Sequence, residues 1–286
     1  MHTGQHIPSE SLLQIGMNAR MFEVNWRPAT TEIAFAAHTG FRAIQFNGRE
    51  QGFDQAYLGG SFDDVATALH THQITAVMEI VVRLMPNGRT QTGLTPLDVL
   101  HANLPAITAL RCACVHWHLA PAIRMTESEL RALEYAAIPQ LEQAMAIAKD
   151  TGFRFGFEHN EPDIPLFANP RICTEILHAV PGLGFVWDLN HAPPEQVPGY
   201  LAVADRMSML HVSDTPLPEV NYHLPLGLGT IDFHHYMGEL FNGGFHGPAI
   251  LEIGGLPKSG EYGRDTDQAL ADSLQRLNEI TMTLHA

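Results

Sequence analysis

The segment GFVWDLNHAPP, residues 184–194, joins a strand-like apolar run to polar residues that can bind metal. The run at 185–187 is the kind of apolar stretch that a buried β-strand needs. Asp188 and His191 follow where that run ends, and the prolines at 193–194 then turn the chain away from a strand. The segment therefore predicts a buried strand that ends in polar chemistry.

Seven other segments repeat this pattern of an apolar run, a loop and an amphipathic stretch. The eight predicted strands are residues 12–18, 41–48, 74–82, 112–120, 153–160, 183–191, 207–214 and 248–255. Strands that alternate with helices pair in parallel, because parallel neighbours need a crossover connection. Eight units in 286 residues predict an α/β fold, a single-domain (β/α)8 TIM barrel over 1–286, with 1–11 as an N-terminal extension.

A doubly wound open sheet is the alternative fold. Its dinucleotide-binding form carries a glycine-rich G-x-G-x-x-G turn after the first strand, and no such turn follows residues 12–18. The sequence therefore favours the closed barrel.

The clearest helix is predicted at residues 126–152. Thr126 and Glu129 have the spacing of a capping box, and Gly152 is a typical C-terminal residue. Pro139 lies inside this segment and is expected to kink or divide the helix.

The overall charge and composition exclude several classes of partner. The net charge is -15, from 16 Lys+Arg and 31 Asp+Glu, so the surface repels a phosphate backbone and nucleic acid is not an expected partner. The first ten residues lack the basic and apolar regions of a signal peptide, and no apolar run approaches the ~18 residues of a membrane helix. Three cysteines give no disulfide framework and fit a reducing compartment, so we expect a cytoplasmic protein without membrane partners.

Polar residues with metal-binding side chains end four consecutive predicted strands. These residues are Glu158, Asp188, His211 and Glu252. In a closed barrel all strand ends of this kind face one mouth, and converging carboxylates repel one another unless a cation or proton joins them. Taken singly, each residue is more simply a helix cap or an ion-pair partner. Taken together, two Glu, one Asp and one His predict a site for one divalent ion, namely Mn²⁺, Co²⁺, Mg²⁺ or Zn²⁺.

With these residues in view, the sequence resembles the xylose-isomerase-like TIM-barrel superfamily of sugar isomerases and epimerases. The resemblance rests on FGFEHN (155–160), GFVWDLNHA (184–192), MLHVSD (209–214), HLPLGLGTIDF (223–233) and ILEIGG (250–255). These motifs cover roughly the second half of the chain, in the order that the family shows. The first half resembles the family only in its alternation of strands and helices.

The resemblance implies a metal site and a reaction. It implies that Glu158, Asp188, His211 and Glu252 bind the ion, that Glu158 and Glu252 are also the catalytic acid and base, and that His191 binds substrate. The implied function is a divalent-metal-dependent isomerase or epimerase of a small sugar or polyhydroxy ketone, working by proton transfer through a stabilised enediolate. A metal-dependent dehydratase (a lyase) of a cyclic polyol ketone is the alternative, and a non-catalytic sugar- or metal-binding barrel is a distant one. Many relatives associate, so a homo-oligomer is also compatible with the resemblance.

Further residues are candidates for substrate contact. His116 and His118 alternate on the fourth strand, Arg83 follows a strand end, and His223 lies in the loop after the seventh strand. Trp26 is a candidate for stacking against a sugar. Glu79, inside the third strand, is either a carboxylate of the barrel interior near the metal or a partner of Arg83.

Overall fold

The computed structural model describes residues 13–21, 25–255 and 264–284. Eight strands form a closed barrel in chain order, and each strand is parallel to its neighbours. The strands are β1 Ile15–Asn18, β2 Ala43–Gly48, β3 Thr75–Leu84, β4 Cys114–Pro121, β5 Arg154–Glu158, β6 Gly184–Asp188, β7 Met207–Val212 and β8 Ala249–Leu251. The structure thus confirms the predicted single-domain TIM barrel, and every predicted strand overlaps an observed one. The predicted extension at 1–11 lies outside the described residues.

Helices lie between the strands along the chain. The described residues contain α1 Ala29–Thr39, α2 Gln55–Leu58, α3 Phe62–His72, α4 Pro96–Ala109, α5 Glu127–Thr151, α6 Pro170–Ala179, α7 Val197–Leu201, α8 Phe233–Asn242 and α9 Asp267–Leu284, with a short 3-10 turn at Ala204–Arg206. Among these described helices none is both long and apolar enough to cross a bilayer.

Helix α5 has the predicted capping box but is not divided at Pro139. Thr126 accepts from the backbone N–H of Glu129, and the Glu129 carboxylate accepts from the N–H of Thr126. Pro139 removes the hydrogen bond to the carbonyl of Tyr135, four residues earlier. The Tyr135 side chain is 52% exposed, so this carbonyl lies on the solvent side of the helix, where water can satisfy it. Of the two expectations for Pro139, a kink or a division, the continuous helix contradicts the division.

The apolar core has two parts. The larger part lies between the strands and the helices. The smaller fills the barrel interior with one side chain from each of six strands, namely Ala43, Val77, Cys114, Val186, Met209 and Ile250. The three cysteines are buried and form no disulfide, so they pack as small apolar side chains; they are Cys112, Cys114 and Cys173. This packed interior supports the polar side chains that follow at the carboxyl ends of the strands.

Candidate metal centre at the barrel mouth

The four predicted metal ligands meet at the carboxyl ends of the strands. Glu158 and Asp188 are the last residues of β5 and β6, His211 is the fifth residue of β7, and Glu252 follows β8 directly. One ligand atom from each residue lies within 4.8 Å of the ligand atoms of the other three. Four residues that are distant in the sequence therefore form a group that could hold a metal ion.

His211 lies at the centre of this group. Its Nδ1 atom is 3.1 Å from Oε1 of Glu158 and 3.1 Å from Oε2 of Glu252. Ligand atoms bound to one ion at about 2.0–2.2 Å lie about 2.8–3.6 Å from one another, from octahedral to tetrahedral geometry, so these separations suit a common ion. The His211 side chain has no exposed surface.

Asp188 supplies an oxygen that lacks a hydrogen-bond donor. Its Oδ1 atom accepts from the backbone N–H of Asn190 at 2.8 Å, whereas Oδ2 is buried without a hydrogen-bond partner. Burial is the main reason that the pKa of Asp188 rises to about 7, and nearby Glu252 and Glu158 add to the rise. A buried carboxylate oxygen that makes no hydrogen bond, with Nε2 of His191 3.3 Å away, can bind a cation together with the other ligand atoms.

The two glutamates are held as carboxylates. Burial acts to raise the pKa of Glu158, but His118 and His211 outweigh it and hold that pKa well below its ordinary value. Burial acts in the same way on Glu252, and His211 and His223 nevertheless lower its pKa to about 2. Deprotonated oxygens and an imidazole nitrogen form a mixed shell suited to Mn²⁺, Co²⁺ or Zn²⁺, and more weakly to Mg²⁺.

A cavity of about 400 Å³ lies beside the group at the barrel mouth. Its lining includes Glu252, His118, His191, His223, Arg83 and Glu79. The structure therefore gathers four of the predicted substrate contacts and Glu252 around one space. Glu79 contacts His118 at 3.0 Å and Gln45 at 3.3 Å.

His191 and His223 form one wall of the cavity. The Nε2 atom of His191 is 3.3 Å from Oδ2 of Asp188 and 3.4 Å from Nε2 of His223. Asn221 and His223 both have positive φ, at 63° and 48°, although neither is glycine. Such a backbone conformation is maintained by its surroundings. Here the His223 Nδ1 atom is 3.0 Å from the carbonyl oxygen of Glu252, which ties the loop to the end of β8.

Two other predicted contacts lie elsewhere. His116 is 1% exposed and lies behind Glu158, with its Nε2 atom 3.2 Å from Oε2 of that carboxylate. It does not line the described cavity. Trp26 is 41% exposed, donates its indole N–H to the carbonyl of Tyr57 and borders a neighbouring depression that shares Asp265 with the cavity.

Three amide side chains contact the metal-ligand residues or the neighbouring His118. The sequence analysis did not predict these contacts. Asn18 donates to Oε1 of Glu252 at 3.0 Å, which leaves Oε2 facing His211. Gln45 and Asn160 contact His211 and His118 at 2.9 and 2.8 Å. Asn18 ends β1 and Asn160 follows β5. Their position at strand ends was the sequence signal that could have indicated a place near the metal centre. Gln45 lies inside the apolar run of β2, where a lone buried amide was a weaker signal.

The loop after β7 is organised by Asp214 rather than by a ligand. Its carboxylate accepts from the backbone N–H groups of Thr215, Gly227 and Ile231 at 2.8–3.1 Å. Asp232 caps α8 by accepting from the N–H of His235. The loop glycines serve this turn, because a Cβ on Gly229 would lie 2.3 Å from Oδ1 of Asp214.

The strands form a closed parallel barrel, and carboxylate and histidine side chains meet at the carboxyl ends of these strands. The protein is therefore a (β/α)8 barrel with a group of side chains that could hold a metal ion. A family model described as "Xylose isomerase-like TIM barrel" matches residues 33–280, and the chain belongs to that family.

Solved structures with the same fold include several sugar epimerases. A D-allulose 3-epimerase from Methylomonas sp. is 16% identical, with a TM-score of 0.71 and coverage of 94% of this chain and 98% of that one. The 3-keto-D-glucoside 4-epimerase YcjR from E. coli is 16% identical, with a TM-score of 0.68 and coverage of 93% and 99%. The IOLI protein "with a binding zinc atom" is 18% identical, with a TM-score of 0.71 and coverage of 95% and 98%. At these identities the likeness shows the fold, and no curated protein matches the chain.

Proposed function

We propose that the protein is a divalent-metal-dependent isomerase or epimerase of a small sugar or polyhydroxy ketone. The observation that carries this proposal is the meeting of Glu158, Asp188, His211 and Glu252 beside a cavity of about 400 Å³. The family and the named activities of the D-allulose and 3-keto-D-glucoside epimerases support it.

A divalent ion held by these four residues would supply positive charge next to a substrate carbonyl, which makes a neighbouring C–H bond more acidic. Glu252 lines the cavity with 17% of its side chain exposed, so a substrate carbon can reach it. Glu252 takes the proton from the carbon next to the carbonyl as a general base. The pKa of Glu252 is lowered to about 2 by His211 and His223, so the group is a carboxylate that can accept a proton.

Glu158 is the second acid-base group in the proposal. It lies behind His118 and His191, with Oε2 3.4 Å from His118 Nδ1 and Oε1 3.9 Å from His191 Nδ1. Glu158 has no exposed surface and does not line the described cavity, so in the proposal it returns a proton once the substrate displaces the His118 and His191 side chains in front of it. The proton goes to the same carbon in an epimerase or to the neighbouring carbon in an isomerase. His191 and His223, on the cavity wall, orient the substrate hydroxyls by hydrogen bonds.

The test is proton exchange with solvent. Protein loaded with Mn²⁺ is incubated in D₂O with a panel of free ketoses, and deuterium incorporation is followed by NMR and product mass by mass spectrometry. We expect deuterium at carbon with no change in composition, and loss of exchange in Glu252→Gln and Glu158→Gln. Glu175→Gln, on the outer surface of α6, is the matched control. Loss of water from the product would assign a dehydratase, and exchange that persists in both glutamate variants would refute the proposal.

A further inference from the structure

Gln45 is a buried amide that contacts the candidate metal centre without belonging to it. It lies on β2, has no exposed surface, and its side chain reaches across the barrel interior to His211 of β7. The Oε1 atom of Gln45 is 2.9 Å from Nε2 of His211, and its Nε2 atom is 3.3 Å from Oε2 of Glu79.

The carboxylate of Glu79 determines which way the amide of Gln45 faces. A carboxylate only accepts hydrogen bonds, so the NH₂ group of Gln45 faces Glu79 and the carbonyl oxygen faces His211. The carbonyl oxygen in turn only accepts, so Nε2 of His211 carries a hydrogen. The nitrogen left to bind an ion is therefore Nδ1, which is the atom that faces Glu158 and Glu252 at 3.1 Å.

Glu79 is itself oriented by a chain of contacts that ends on the backbone. Its Oε1 atom is 3.0 Å from Nδ1 of His118, whose Nε2 atom is 2.8 Å from Oδ1 of Asn160. The NH₂ group of Asn160 donates to the carbonyl oxygens of Leu119 and Leu166 at 2.8 and 2.6 Å. Both amide hydrogens of Asn160 are thereby used, so its oxygen accepts from His118. The donor and the acceptor of each hydrogen bond in this series are thus assigned.

We propose that Gln45 is a positioning residue that holds His211 as the Nε2–H tautomer with Nδ1 turned to the ion, and that Glu79 sets the orientation of Gln45. The inference rests on the proposed metal-dependent function and adds to it the side chains that act through His211. Hydrogen-bonding partners of this kind fix the tautomer and ring orientation of a ligating histidine, and their loss typically weakens metal affinity by about 10–100-fold.

If Glu79 and Gln45 exchange their side chains, the residue at 45 still accepts from His211, and only the hydrogen bond between 45 and 79 reverses its direction. In the pair Gln45→Glu with Glu79→Gln, the new carboxylate accepts from His211 and from the new amide. Gln45→Met removes both hydrogen bonds at nearly constant side-chain length. Gln14→Met is the matched control, because Gln14 donates to Thr75 and Arg42 at the opposite end of the barrel.

The experiment measures Mn²⁺ affinity by isothermal titration calorimetry on the full chain and on each variant. We expect Gln45→Met to bind Mn²⁺ about 10–100-fold more weakly, Gln14→Met to be unchanged, and the exchanged pair to bind more tightly than Gln45→Met. The ¹⁵N NMR spectrum of the His211 ring in Zn²⁺-loaded protein is a second readout, which a purely structural role would leave unchanged. It should show hydrogen on Nε2 in the parent chain and a mixture of ring states in Gln45→Met.

The outcomes separate the two proposals. Equal Mn²⁺ affinity of Gln45→Met and the parent, or an exchanged pair no better than Gln45→Met, would overturn the role of Gln45 while the metal site stands. A parent chain that binds no Mn²⁺ would overturn both the role of Gln45 and the proposed metal dependence.

Discussion

The Nδ1 atom of His211 lies 3.1 Å from Oε1 of Glu158, although 53 residues separate them in the sequence. The contact joins β7 to β5 across the barrel mouth, with β6 between them in the sheet. Both side chains are fully buried, so each depends on the other, or on an ion between them, to offset the loss of hydration.

Asp188→Asn should remove metal-dependent stabilisation without weakening the metal-free fold. The buried carboxylate lacks a hydrogen-bond donor on Oδ2, and burial raises its pKa to about 7, so its charge is unfavourable when no ion is bound. A metal at 100 times its dissociation constant stabilises a fold by about 2.7 kcal/mol, or about 4–5 °C in Tm for a chain of this size. Differential scanning calorimetry with and without Mn²⁺ should show this rise in the parent and not in Asp188→Asn. An equal rise in both would remove Asp188 from the ligand set.

His191→Ala should impair substrate binding more than metal binding. His191 lines the cavity between Asp188 and His223, and its Nδ1 atom is buried without a hydrogen-bond partner. With a ketose that the enzyme turns over, we expect KM to rise at least about 10-fold, the effect of losing about 1.4 kcal/mol of binding. His235→Ala, an exposed residue of α8, is the control. A fall in Mn²⁺ affinity with unchanged KM would instead assign His191 to the metal.

Three capping carboxylates should make stability decrease in acid. Hydrogen bonds from Ser61, Thr95 and Thr126 lower the pKa values of Asp64, Asp98 and Glu129. A carboxylate whose pKa is lowered by folding contributes stability that is full above its unfolded pKa, about pH 4, and is lost as pH falls through the folded value. Urea unfolding of metal-free protein from pH 7 to 3 should show a shallower loss for the triple variant Asp64→Asn, Asp98→Asn, Glu129→Gln. Parallel pH profiles would contradict the assignment.

Asp214→Ala should destabilise the loop after β7. It leaves the buried N–H group of Ile231 and the part-buried N–H group of Gly227 without the acceptor that they have now. Loss of a buried partner costs about 1–3 kcal/mol, and urea unfolding measures it directly. Gly229→Ala should act on the same loop by a different cause, since its Cβ would lie 2.3 Å from Oδ1 of Asp214. A free energy of unfolding unchanged in both variants would show that this carboxylate does not organise the loop.

The sequence predicted the barrel and the convergence of four strand ends, because both follow from local patterns. An apolar run that stops at Glu158 or Asp188 is visible in a few residues, and closure of the barrel then brings the ends together. The hydrogen-bond partners were not predictable in this way. Gln45 reaches His211 from a strand 166 residues away, and only the closed barrel shows which side chains face each other.

His116 and His118 show why alternation alone was insufficient. Residues two apart on a strand point to the same side but lie about 6–7 Å apart along it. That distance places His118 at the cavity and His116 one layer below, behind Glu158. The depth of each residue depends on the register with β5, where His118 pairs with Glu158 and His116 with Gly156. No single segment of sequence contains that register.

The most direct test of the metal centre is an anomalous-difference map from crystals soaked in Zn²⁺. We predict one strong peak about 2.0–2.2 Å from Nδ1 of His211 and from carboxylate oxygens of Glu158, Asp188 and Glu252. A map with no peak among these four side chains, at Zn²⁺ concentrations that saturate other metalloenzymes, would contradict the account.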